Sequence, residues 1–130
     1  MSWDATLYEV TEVTKCHECG QQLPEPRKDR GEAGWWNYTR NVTPMIAAAW
    51  EQATGKPIEQ NWWAMLNGMD GPAGREHIAT VVKALEADPE KFRAMNPPNG
   101  WGDYDSLLGV LRQMRDAAED GVTYAWRTAG

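Results

Sequence analysis

Basic residues are in the minority, and that removes one class of partner. The 130-residue chain carries 13 Lys and Arg against 19 Asp and Glu, a formal charge of −6. A protein that tracks the phosphates of DNA or RNA presents a basic face, so no nucleic-acid backbone binding is expected. Long apolar runs are missing too. Nothing approaches the roughly 18 residues of a membrane-crossing helix, so no membrane partner is expected. The N-terminus lacks the basic-then-apolar pattern of a secretory leader, which predicts a cytoplasmic protein. Cysteine is down to two residues, Cys16 and Cys19, and histidine to two, His17 and His77. That is too little for a disulfide framework in a reducing compartment. There is no Gly-x-Ser-x-Gly, no phosphate loop and no His-Glu-x-x-His, so no catalytic constellation argues for an enzyme.

Tryptophan, by contrast, is abundant: eight against a single phenylalanine. Some of these rings must be core. Eight are more than one small core usually needs, and the surplus suits a ligand groove or a partner surface. The length fits one domain, residues 1–130, able to bury a core without staples.

Along the chain, 6–14 alternates as a strand and is rich in β-branched residues. The stretch 21–34, with two prolines, two glycines and many charges, predicts a mobile loop. Thr43-Pro44 starts a helix, with Thr43 as its cap; Met45, Ile46, Ala49, Trp50 and Ala53 form its stripe. A short helix is expected within 58–69, then a connection punctuated by Gly68, Gly71, Pro72 and Gly74. Residues 73–87 follow as a helix burying Ile78, Val81, Val82 and Leu85. Asp88-Pro89 repeats the cap-plus-proline signal, with Asp88 as the cap of another short helix, and Asp103 caps the last, which carries Tyr104, Leu107, Leu108, Leu111, Met114 and Ala118. Residues 122–127 close as a strand. The expected fold class is α+β and mainly helical: four or five helices packed on a small antiparallel sheet formed by the N- and C-terminal strands.

Three groups carry chemistry. Cys16 and Cys19, in Cys-His-Glu-Cys-Gly, could grip a zinc ion. A closed site needs four ligands, so His77, an acidic residue or a second subunit would have to complete it. Without a metal, the two thiols pack as small hydrophobes. The second group is Asn37, Thr39 and Asn41: in an extended segment these share a face, with Tyr38 and Arg40 opposite. Their amides suit a nucleobase edge or a sugar, or else they organise the turn into the next helix. The third is the stiff turn Asn96-Pro97-Pro98-Asn99-Gly100-Trp101-Gly102-Asp103-Tyr104. Its prolines fix φ, its glycines permit φ > 0, and Trp101 and Tyr104 offer faces for a planar ring. If the last two groups meet, they form a cleft with aromatic walls and amide floors, where Arg40 or Arg75 could bind an anion. The plainer alternative is an elaborate helix start, with Trp101 covering the helix end. Glu76-His77 could hold an acid/base pair, but a histidine on a charged helix face reads as solvated.

Two of these stretches, Trp36-Asn37-Tyr38-Thr39-Arg40-Asn41-Val42-Thr43-Pro44-Met45 and the turn Asn96 to Tyr104, together resemble a family of small proteins encoded by bacteriophages and prophages. Some of its members share an early Cys-x-x-Cys. The likeness runs over about residues 5 to 127, with 21–34 unmatched. It implies a phage accessory protein made inside an infected bacterium and implies no reaction. The expectation is a protein that binds a small planar or nucleotide-like ligand without turning it over. The alternative is a module inhibiting a host bacterial protein, which an exposed apolar patch at Trp62 and Trp63 would favour. A homo-oligomer is left open.

Overall fold

A computed structural model describes residues 2–15, 22–26, 32–118 and 122–130. The first strand, β1 (Ser2–Lys15), is long enough to serve two pairings. Its C-terminal half pairs antiparallel with β2 (Gln22–Pro26). Its N-terminal half lies between β3 (Glu32–Thr39) and β4 (Tyr124–Ala129), both antiparallel to it. The N- and C-terminal strands therefore pair as the sequence predicts, within a larger sheet. The segment read as a loop, 21–34, instead contributes β2 and the start of β3. The prolines that obscured it, Pro24 and Pro26, sit in β2, which among the described residues pairs on one side only. Proline is tolerated there because an edge strand leaves alternate amides without a ladder partner.

Helices α1 (Thr43–Thr54), α2 (Trp62–Leu66), α3 (Gly71–Ala87), α4 (Pro89–Arg93) and α5 (Tyr104–Asp116) cover the inner face of this sheet. Helix α3 packs against both α1 and α5. The stripes expected on α3 and α5 are all buried. Of the α1 stripe, Met45, Ile46 and Ala49 are buried, Trp50 is half-buried and Ala53 faces outward.

Caps decide where helices begin. The Asn61 side chain accepts from Trp63 N and Ala64 N, opening α2. Asp70 accepts from Ala73 N at 2.8 Å, so α3 starts at Gly71 and takes in Pro72 and Gly74, residues that read as a connection. Two expected caps are corrected. Thr43 lies inside α1, because a 3-10 turn, Arg40–Val42, runs directly into the helix. Asp88 makes no side-chain capping bond.

Most of the tryptophan surplus goes to the core. Trp62 and Trp63 are 2 % and 1 % exposed, so the apolar patch considered there does not exist. Trp126 is buried, and Trp3, Trp36 and Trp50 pack partly against the core. Only Trp35 and Trp101 stand out among the described residues, at 56 % and 69 % exposed.

Candidate functional site

The two polar-aromatic stretches meet. Strand β3 ends at Thr39, and its last residues face the turn that precedes α5. Tyr38 straps them together. Its hydroxyl donates to the Asp103 carbonyl and accepts from the Asp103 amide, both at 3.3 Å. Burial holds the Tyr38 phenol above its usual pKa, so it stays neutral and keeps its donor proton. Gly102 fits between the two stretches because it has no side chain. With φ +89°, a Cβ there would lie 2.6 Å from Thr39 Cγ2 and 3.0 Å from Val42 Cγ1.

The turn is held by its own side chains. Gly100 N donates to Pro97 O at 3.3 Å, closing the bend. Asn99 Oδ1 accepts from Trp101 N at 3.0 Å, and Asn96 Oδ1 accepts from Tyr104 N at 2.8 Å. Asp103 Oδ1 accepts from Ser106 N at 2.7 Å and caps α5. The backbone under Trp101 is thus fixed, while its ring projects into solvent.

Between the turn and β3 lies an open cleft of about 630 Å³. That is within the range of small-molecule sites. One wall is Asn37, Tyr38, Thr39 and Asn41; the other is the stretch Asn99 to Asp103, with Ser106 behind it. Trp101 supplies the apolar face. Several polar groups on the walls are already engaged. Asn37 Nδ2 donates to Ser2 Oγ at 2.9 Å and to the Asp4 carboxylate on the neighbouring strand. Thr39 Oγ1 accepts from Asn41 N at 3.3 Å, capping the 3-10 turn. Among the described residues no partner takes the Asn37 carbonyl oxygen, the Thr39 hydroxyl proton, the Asn99 amide nitrogen or the Asn41 side chain, all on residues that line the cleft.

Four residues expected at the site do not line this cleft. Tyr104 is buried, and its hydroxyl donates to Leu85 O at 2.7 Å while the Arg93 guanidinium covers its ring at 4.8 Å. Asn96 spends its oxygen on the Tyr104 amide. Arg40 turns away, lying over the Trp3 ring at 4.8 Å, and Arg75 donates to the Ala118 carbonyl. The strict alternation expected through Arg40 and Asn41 fails because the chain leaves the extended state at Arg40 and winds into the 3-10 turn. Tyr38, Asp103 and Ser106 line the cleft without having been singled out for it. Tyr38 faces inward on β3, and only the tertiary fold shows which turn that face meets.

His77 is likewise not the solvated residue its helix face suggests. It is 5 % exposed, stacked on Trp62 at 4.7 Å and 12°, with Trp50 at 4.9 Å on another side. Its Nε2 lies 3.1 Å from Trp62 O. That burial removes it from an acid/base pair with the exposed Glu76 and leaves that nitrogen engaged, so it is a poor candidate to complete a zinc site. Cys16 and Cys19 lie outside the described residues. Among the described residues, no group of three or more His, Cys, Asp or Glu could hold a metal ion. No helix among them is long and apolar enough to cross a membrane. Comparison with known proteins finds no matching family model, no matching curated protein and no matching solved structure.

Proposed function

We propose that the protein binds a small planar, nucleotide-like ligand in the cleft between β3 and the Asn99–Asp103 turn, and holds it without chemical change. The observation that carries this reading is the Trp101 ring. It is 69 % exposed on a backbone pinned by its neighbours, beside amides with unused hydrogen-bonding capacity. An exposed indole on a rigid turn is a stacking platform whose ordering cost is already met by folding. The amides beside it can read the edge of a stacked ring. The burial of Trp62 and Trp63 takes away the patch on which a protein-inhibitor reading would have rested. Action inside an infected bacterium follows from the resemblance to phage proteins and is part of the same proposal.

The test is a titration of the full chain with free nucleobases, nucleosides and nucleotides, followed by intrinsic tryptophan fluorescence and calorimetry. At least one compound should bind. Trp101→Ala, at an exposed position, should weaken it at least about tenfold, in line with the ~1–3 kcal/mol of one base–aromatic stack, and leave the thermal midpoint within a few degrees. Absence of binding across the panel, or equal binding by Trp101→Ala, would refute the proposal.

A further inference from the structure

The charge of the cleft narrows its ligand. Among the described residues that line it there is no Lys or Arg, and its one charged group is the Asp103 carboxylate. The two arginines that could have reached for an anion are committed elsewhere: Arg40 over Trp3 and Arg75 on the Ala118 carbonyl. A helix start can bind phosphate through free backbone amides, and the start of α5 borders the cleft. Four of the amides there are already taken. Asp103 N donates to the Tyr38 hydroxyl, Tyr104 N to Asn96, Ser106 N to the Asp103 carboxylate and Leu107 N to Asp103 O. The carboxylate occupies the place a phosphate would seek, and it repels one. What the walls leave unspent are neutral groups, an amide nitrogen, an amide oxygen and a hydroxyl, which match the mixed donors and acceptors of an uncharged base.

We infer that the cleft selects an uncharged nucleobase or nucleoside and discriminates against the phosphorylated form of the same compound. The inference rests on the planar-ligand reading above and deepens it. A nucleotide would have to place its phosphate beside Asp103 with no cation to offset it, whereas a nucleoside meets only amides, hydroxyls and the indole face.

The experiment is a matched series on the full chain: adenosine, guanosine, cytidine and uridine, each against its 5′-monophosphate, by calorimetry at moderate salt. The nucleoside that binds should do so at least about tenfold more tightly than its monophosphate. Asp103→Asn keeps a residue type that caps well and removes the charge, so it should narrow that gap several-fold. A monophosphate as tight as its nucleoside, or a gap that Asp103→Asn leaves untouched, overturns this inference while the planar-ligand reading stands. If nothing in the series binds, and no free nucleobase binds either, the planar-ligand reading falls and this inference with it.

Discussion

His77 shows what one residue's surroundings can do to its chemistry. Stacked on Trp62 and flanked by Trp50, it is shielded from water, and burial lowers its pKa below the usual 6.5, with the contact to Trp62 O a smaller opposing effect. The unfolded chain then takes up a proton at higher pH than the folded one. The stability tied to a neutral His77 is therefore fully present above the unfolded pKa and is lost as pH falls through the folded value. Urea midpoints measured from about pH 7.5 down to about pH 5 should fall more steeply for wild type than for His77→Gln. His17 and the carboxylates are common to both chains and cancel in the comparison; parallel curves would refute the assignment. The burial was illegible in the sequence for a definite reason. Periodicity along α3 places His77 next to Glu76 and reports nothing of the rings that α1 and α2 bring across to it.

At the scale of the element, the turn before α5 is where sequence and structure agree best. Asn-Gly-Trp-Gly demands two positive φ values, and Gly100 and Gly102 adopt +74° and +89°. The two glycines differ in what surrounds them. A Cβ at Gly100 meets nothing within 4 Å, so Gly100→Ala should cost only the backbone strain, about 1–2 kcal/mol. A Cβ at Gly102 collides with Thr39 and Val42, adding about 1–3 kcal/mol of overpacking and pushing the turn off β3. Chemical denaturation should rank the variants in that order, and ligand binding should survive in Gly100→Ala but not in Gly102→Ala; equal costs would show that the close approach is unimportant. Helices were legible for a similar reason: prolines at the starts of α1 and α4 and the Asp103 cap act locally. Strands β2 and β3 were harder. Pro24, Pro26, Gly34 and the charges of 21–34 all signal loop, and what makes the segment extended is pairing with β1, a partner whose choice no local pattern reveals.

For the molecule as a whole, the cleft depends on β3 being held at the right height over α5, and Trp126 does much of that holding. On β4 it pairs with Leu7 of β1, its amide donates to Met69 O at 2.8 Å, and its carbonyl accepts from Gly68 N at 2.8 Å. Its ring lies 5.7 Å from that of Trp36 on β3 and presses on Gly74 of α3, where an added Cβ would come within 2.2 Å of Trp126 Cδ1. One residue thus joins three strands, the α2–α3 connection and the first turn of α3, its backbone tying β4 to β1 and to that connection and its ring reaching β3 and α3. Trp126→Ala should cost about 3–5 kcal/mol, a large share of the ~5–15 kcal/mol available to a domain. Gly74→Ala reaches the same joint from the other side. The ring is buried and has nowhere to go, so a single methyl group should destabilise by about 1–3 kcal/mol. Gly109→Ala in α5, where a Cβ meets nothing within 4 Å, is the control and should stabilise by roughly 0.5–1 kcal/mol. Urea unfolding of the three variants tests this. If Gly74→Ala proved as harmless as Gly109→Ala, the ring would not be wedged between helix and sheet. The positioning of Tyr38, and with it of the cleft, would then have to come from the β1 pairing and the Tyr38–Asp103 hydrogen bonds.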